Sequence, residues 1–259
     1  MSIRTAAVVF LLMTLPGAAR ADALLQFVDT RTGKPQSRIA IGADKLRVDI
    51  AYAPGNAYTV LDLESRTVTQ INPGQQATAT AAVEQLQALA ASLDGARDPA
   101  TQPLLQMALD HLPDAQRQQA QALLQQSQRE QNLPFTKTAQ RDRVVGIACT
   151  IYEQRGPDGD PRRLCVAPYA TLGLSAADTQ TLQTAIGLLR DTHGPWLPAA
   201  SVPGLPIRYS GSLGAGQYAG AGSLKSISHA ALPASFFADP AGYRIVSIFE
   251  MLSMSGLAP

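Results

Sequence analysis

The sequence predicts an α+β protein: a curved antiparallel β-sheet with a helix across its open face and an α-helical insertion. Three observations predict it. Short alternating segments joined by turns run from Ala23 to about Ala79. Composition then shifts to Ala, Gln and Leu between 81 and 131, and strand character returns after Phe135 around one capped helix.

Residues 1–21 have the layout of a secretory signal peptide. Met1 to Arg4 is a short basic start, Ala6 to Leu15 is apolar, Pro16-Gly17 breaks the run, and Ala19-Arg20-Ala21 is a small-x-small cleavage pattern. The apolar run is too short to span a bilayer. The mature chain is expected to begin near Asp22 and to reside, soluble, in the periplasm. No cysteine follows the cleavage site, so a lipid anchor is not expected.

The first part, 22–80, reads as a meander. Leu24 to Val28, Ser37 to Ile41, Lys45 to Ile50, Tyr58 to Asp62 and Thr67 to Ile71 are its strands. Gly42-Ala43-Asp44, Pro54-Gly55-Asn56 and Leu63 to Arg66 are its turns. Leu46, Val48 and Ile50 alternate with Arg47 and Asp49, the period of a half-buried strand. The second part, 81–131, places Val83, Leu86, Ala90 and Leu93 at helical spacing. Breakers at Asp94-Gly95, Asp98-Pro99 and Pro113 divide it into two or three short helices, whose glutamine-rich faces meet either water or a partner.

The third part, 132–259, carries strands over Val144–Glu153 and Arg162–Ala167 on either side of a loop at Gly156 to Asp160. A hairpin there places Cys149 and Cys165 across from each other, at a span that a disulfide bridges. In an oxidising compartment a lone pair is read most economically as one bond, closing a loop worth about 3 kcal/mol in the chain-entropy model. The alternative is a redox-active or metal-binding pair, for which no C-x-x-C spacing or nearby His exists. Ser175 to Asp178 is a capping box that opens a helix to about Arg190, with Leu182, Ile186 and Leu189 on one face. Strands follow over Leu205–Tyr209 and Gly216–Ile227, then a loop with Phe236 and Phe237. The tail Ile245–Met254 suits either a strand or a docking helix.

Charge excludes one function class. Without residues 1–21 the chain has 19 basic and 20 acidic side chains, a net of −1, and its four lysines are scattered. Such a chain lacks the field that drives nucleic-acid binding. With 46% hydrophobic residues it suits a globular protein, and no second apolar run approaches the length of a membrane span.

Catalytic patterns are weak. His111, His193 and His229 have no partner at metal-ligand spacing, so neither a metal nor a cofactor is expected. Gly211-Ser212-Leu213-Gly214 and Gly222-Ser223 are glycine-flanked serines that read as hairpin turns, not as a nucleophile elbow. The pairs Asp62 with Glu64 and Asp158 with Asp160 read as turn residues. The chain is therefore expected not to be an enzyme. A curved sheet under a helix instead offers a concave apolar face, with Phe27, Leu46, Val48, Val60, Ile147, Ile151, Val166 and Leu182 either lining a ligand cavity or filling the core.

The order of these elements resembles a known family. It shows in Lys45-Leu46-Arg47-Val48-Asp49, in Tyr58 to Asp62 turning into Thr67 to Pro73, and in Val145 to Tyr152 returning to Cys165-Val166-Ala167. Gly204 to Ile207 and Pro240 to Tyr243 complete it. Together they resemble uncharacterised periplasmic domain-of-unknown-function proteins with a LolA/LolB-like fold, an incomplete β-barrel related to lipoprotein carriers. The resemblance covers about two-thirds of the mature chain and leaves 81–131 as an insertion. It implies a half-barrel that binds a lipid or lipoprotein acyl chain, and it supplies no catalytic residue. A non-enzymatic lipid-binding protein is thus the leading expectation. An envelope interaction module using the Ala/Gln-rich helices is the alternative, and a secreted hydrolase the weakest.

Overall fold

The computed structural model describes residues 22–50, 56–95, 117, 134–155, 161–190, 192, 202–211, 221–248, 250 and 251. Residues 1–21, which carry the expected signal peptide, lie outside them. So do residues 96–116 and 118–131 of the expected insertion.

Alternating apolar residues and short turns build one large sheet. Its strands are β1 (Ala23–Asp29), β2 (Pro35–Ile41), β3 (Lys45–Ile50), β4 (Tyr58–Asp62), β5 (Thr67–Asn72) and β6 (Ala77–Ala82). After these come β7 (Thr136–Val144), β8 (Ile147–Arg155), β9 (Pro161–Ala167), β10 (Leu205–Ser210), β11 (Ala221–Ser228) and β12 (Arg244–Ile245). In space the order is β12-β6-β5-β4-β3-β2-β1-β11-β10-β9-β8-β7. All neighbours are antiparallel except β12 on β6, so the sheet is mixed rather than purely antiparallel. β1 pairs with both β2 and β11, which joins the two halves of the chain into one sheet. Among the described residues the longer helices are α1 (Val83–Gly95) and α2 (Ala176–Leu189). The fold is a sheet-dominated α+β fold.

Local chemistry explains the turns. Asp29 Oδ1 accepts from the amides of Arg31 and Thr32, at 2.8 Å each, and so closes the β1–β2 turn. Asp62 Oδ1 does the same for Glu64 and Ser65 between β4 and β5. Ser175 caps α2: its Oγ accepts from the Asp178 amide at 3.0 Å and donates to Asp178 Oδ2 at 2.7 Å.

Curvature has a visible cause. Bulges interrupt β1 beside Phe27, β7 between Lys137 and Arg141, and β10 between Pro206 and Arg208. Each bends its strand and increases local twist. Proline in an interior strand would lose a ladder bond, and Pro206 sits at a bulge where that loss is tolerated. These irregularities lie in the β7–β2 half of the sheet. There the edge strand β7 curls back to approach β11, although three strands separate the two along the sheet.

The concave face holds the main core. Leu25, Phe27, Ile41, Leu46, Val48, Leu61, Cys149, Cys165 and Leu224 pack with Leu182, Ala185, Ile186 and Leu189 of α2. α2 lies over β2 and β3, and Thr181 Oγ1 donates to Ala43 O at 2.9 Å. α1 docks beside it, with Val83 fully buried and Gln87 Nε2 donating to Leu188 O at 2.9 Å.

A strap covers the convex face of the other half. Residues 229–243 cross β2 to β5, with Tyr243 packing on Tyr58, Val60 and Ile71. Phe236 stacks on Arg47, whose Nη1 donates to Phe236 O at 2.6 Å. Arg47 and Arg38 both hold Asp49, so this face is apolar at one end and ion-paired at the other.

Several sequence expectations change. The sequence ends the meander at about Ala79 after five strands, but Ala77–Ala82 forms a sixth, β6, and α1 follows from Val83; in β6 only Thr78 and Thr80 are β-branched, so the strand signal is weak. Val144–Glu153 is not one strand, because Val145-Gly146 turns the chain between β7 and β8. Gly222-Ser223 lies inside β11 and not in a turn. The tail resolves as both forms in succession: the two-residue β12, then a helical turn that buries Met251.

Candidate functional site

Curling of β7 toward β11 creates a cavity of about 260 Å³ at the rolled end of the sheet. It is lined by Gln140, Arg141 and Asp142 of β7, Ile151 of β8, Arg163 and Cys165 of β9, and Arg208, Tyr209 and Ser210 of β10. Cys165 is buried and belongs to the main core, and Ile151 packs against that core, so these two form the floor. Gln140, Arg141, Asp142 and Arg163 are exposed and form the rim. The cavity thus passes from charged to apolar with depth.

Register explains which side chains converge. Ile151 pairs with Cys165, and Arg208 pairs with Cys165 from the other side, so all three share one face. Cys149 lies on that face one pleat away and bonds to Cys165, with Cα atoms 5.3 Å apart. The bridge is diagonal across β8 and β9 and braces the strands that floor the cavity. The disulfide expected from the lone cysteine pair is formed.

Two ion pairs order the rim. Arg208 Nη1 meets Asp142 Oδ2 at 2.5 Å, and Arg208 Nη2 donates to Arg143 O at 3.3 Å. These contacts connect β10 to β7 across two intervening strands, which only a rolled sheet permits. Arg163 Nε lies 2.8 Å from Glu153 Oε1. Arg141 has no ion-pair partner among the described residues.

Charge is unevenly distributed. Strands β7 to β10 carry Lys137, Arg141, Arg143, Arg155, Arg162, Arg163 and Arg208 against only Asp142 and Glu153. That is +5 on four strands in a chain whose whole net charge is +1. Even with Asp158 and Asp160 of the intervening loop added, this segment stays positive at +3.

The residues expected to line a cavity divide three ways. Ile151 lines it. Phe27, Leu46, Val48 and Leu182 are buried in the core beneath α2, and Ile147 packs against that core. Val60 and Val166 do not share the concave face: Val60 packs with Tyr58 and Ile71, and Val166 with Tyr152 and Leu164. A half-register difference decides this, since consecutive residues of a strand point to opposite faces. Sequence reasoning passed over Gln140, Arg141, Asp142, Arg163 and Arg208. On a linear reading they are solvated strand charges, and only the density of arginine from 141 to 163 hints otherwise.

Among the described residues no group of three or more His, Cys, Asp or Glu side chains is placed to hold a metal ion. Among the same residues no helix is long and apolar enough to cross a membrane.

No protein-family model matches the chain, and no curated protein matches it. Among solved structures, one of PNGF-II in the P21 space group is similar over 92% of this chain, with 6% identity and a TM-score of 0.42. This chain spans only 34% of that structure's length. An uncharacterized conserved protein from Thermus thermophilus is similar over 88% of this chain and 91% of its own, with 7% identity and a TM-score of 0.38. Likeness this distant carries no argument about activity.

Proposed function

We propose that the protein is an exported, non-enzymatic binding protein of the LolA-like type, which holds the apolar chain of a lipid or acyl group on the concave side of its sheet. One observation carries the reading: the rolled end leaves a cavity of about 260 Å³ whose floor, Ile151 and Cys165, is continuous with the apolar core. The seat beneath α2 is filled by side chains, so the ligand enters at the roll and not under the helix. The cavity is slightly smaller than the usual small-molecule pocket, which suits a short chain or the end of a longer one. Its lining holds one carboxylate, the ion-paired Asp142, and no histidine, an arrangement better suited to holding a ligand than to moving protons. The disulfide fits an oxidising compartment.

Native mass spectrometry and solvent extraction of the purified protein test this reading, together with titration by a neutral apolar fluorophore. Co-purifying lipid, or fluorophore binding lost on Ile151→Asp, is the expected result. If no lipid co-purifies and the fluorophore does not bind, the proposal is wrong.

A further inference from the structure

We infer that the outer face of strands β7 to β9 docks on the anionic surface of a phospholipid bilayer. Val145 enters the head-group layer, and Lys137, Arg141, Arg143 and Arg162 lie over the lipid phosphates. This second site is on the side of the sheet away from the cavity and does not depend on what the cavity holds.

Strand register sorts the charges at this end of the sheet by face. Asp142 pairs with Cys149 and Glu153 with Arg163, on the face of Ile151 and Cys165. There both acids are engaged, Asp142 by Arg208 and Glu153 by Arg163. Lys137 pairs with Tyr152, Arg141 with Thr150, Arg143 with Ala148 and Arg162 with Gln154. These pairs all belong to the opposite face, that of Leu164 and Val166, because successive residues alternate. Arg141 thus sits at the cavity's edge while its side chain turns outward. Neither acid of β7 to β10 stands on the outer face, and its four cations have no ion-pair partner among the described residues.

The turn between β7 and β8 supplies the apolar part. Val145 is 55% exposed and holds a left-handed backbone at φ 45°. A position that favours Asn therefore carries an apolar residue, strained and with little packing in return. Strain that gains the fold nothing points to a use outside the fold. Arg143 Nη1 donates to Gly146 O at 3.4 Å, which keeps a guanidinium beside the tip. An apolar tip flanked by cations is the combination that partitions into an anionic interface.

Charges on an edge strand also guard against edge-to-edge pairing. That role accounts for Lys137, Arg141 and Arg143. It does not account for Arg162, which lies on the interior strand β9, or for Val145, where a guard would be polar. The cations on β7 spread along about 20 Å of strand. A plane of diffuse negative charge meets such a row without matched geometry, which a folded acidic partner would need.

Co-sedimentation of the purified exported protein with vesicles of equal parts phosphatidylglycerol and phosphatidylcholine tests the inference. Phosphatidylcholine vesicles and soluble polyglutamate serve as comparisons. The protein is expected to bind the anionic vesicles about tenfold or more tighter than the neutral ones, and added salt should screen the difference away. Each cation near the surface is worth about fivefold in affinity, so the double variant Arg141→Gln/Arg143→Gln should bind about 25-fold more weakly. Val145→Asn should weaken binding about fivefold while raising the thermal midpoint, opposite signs that a purely structural turn residue would not give. Arg141 and Arg143 are exposed on an edge strand, so their variant remains informative if Val145→Asn fails to fold. No binding to anionic vesicles, equal binding to both kinds, or indifference to the double variant overturns the inference. Polyglutamate bound as tightly as vesicles, with no effect of Val145→Asn, also overturns it and assigns the face to an acidic protein. The fluorophore titration of the cavity uses no vesicles, so either reading can fail while the other stands.

Discussion

The guanidinium carbon of Arg47 stands 3.6 Å from the centroid of the Tyr58 ring and 4.2 Å from that of Phe236, so one cation is held between two aromatic faces. The same side chain binds Asp49 through Nη2 at 2.6 Å and the Phe236 carbonyl through Nη1. It is the rivet that fastens the strap to the sheet. Arg47→Ala should cost about 2–4 kcal/mol, from desolvated cation–π contact and charge-assisted hydrogen bonds. Arg47→Lys should restore little, because an ammonium cannot stack and fork at once. Urea denaturation measures the loss. Burial pushes the Tyr58 hydroxyl above its ordinary pKa while Arg47 opposes the shift, so Arg47→Met should move the phenol titration higher still.

Val145 adopts φ 45° and Gly146 φ 83° in the two-residue turn between β7 and β8. Left-handed backbone at both positions is the signature of a type I′ hairpin, where Asn-Gly is preferred. A β-branched residue is strained there, and Val145 is 55% exposed, so it gains little from packing. Val145→Asn should therefore stabilise the protein by about 1 kcal/mol, seen as a higher midpoint in thermal unfolding.

Two glycines should respond in opposite directions. Gly222 lies under the Tyr209 ring and the Gln36 side chain, so a methyl group there overlaps both, and Gly222→Ala should cost about 1–3 kcal/mol. Gly187 is exposed on α2 with nothing near its Cβ direction. Gly187→Ala should stabilise by about 0.5–1 kcal/mol. Equal effects from the two would contradict the packing described.

Neither cysteine should label with a thiol reagent under denaturing, non-reducing conditions, since Cys149 and Cys165 are bonded. The bridge spans 16 residues of sequence. Replacing both by alanine should cost about 2–4 kcal/mol, the usual worth of such a link. Because it braces β8 to β9, the double variant should also weaken the binding proposed at the roll.

Lys45 and Asp62 form an ion pair at 2.7 Å between β3 and β4. Burial pushes the Asp62 carboxyl up, but Lys45 and the Ser65 amide outweigh it and hold it below the usual range. Its stabilisation is therefore complete above the unfolded value of about 3.9 and fades as the pH falls through the lower folded value. Asp62 raises Lys45 in turn, against the desolvation of that ammonium, so the lysine's share is complete below about pH 10.4 and is lost above it. Both side chains keep partial solvent access, which limits the pair to at most about 1 kcal/mol. Asp62→Asn should flatten the acid limb of a stability–pH curve below about pH 4.

Strands with alternating burial were legible because period-two patterning is a local property: Leu46, Val48 and the flanking Arg47 and Asp49 declare their faces by themselves. The capped helix at Ser175 was legible for the same reason, since capping is decided within four residues. Residues 77–82 were not, because Ala and Thr take strand geometry there only through pairing with β5 and β12. The turn at Val145-Gly146 was hidden by a residue whose preference opposes the conformation it adopts.

Taken alone, the sequence determined where most strands and turns, the covering helix and the cysteine hairpin lie, since each of these depends on neighbours within a few residues. It also determined the overall charge, but not its placement. Only the tertiary structure decided that β1 joins β11, that bulged strands roll β7 back toward them, and that Val60 and Val166 turn away from the core. It alone brought Asp142 and Arg208 together on one rim above Ile151 and Cys165. The physical reason is the same in each case: register and curl are set by pairing between residues far apart in the chain, and no local pattern encodes which distant strand will be the partner.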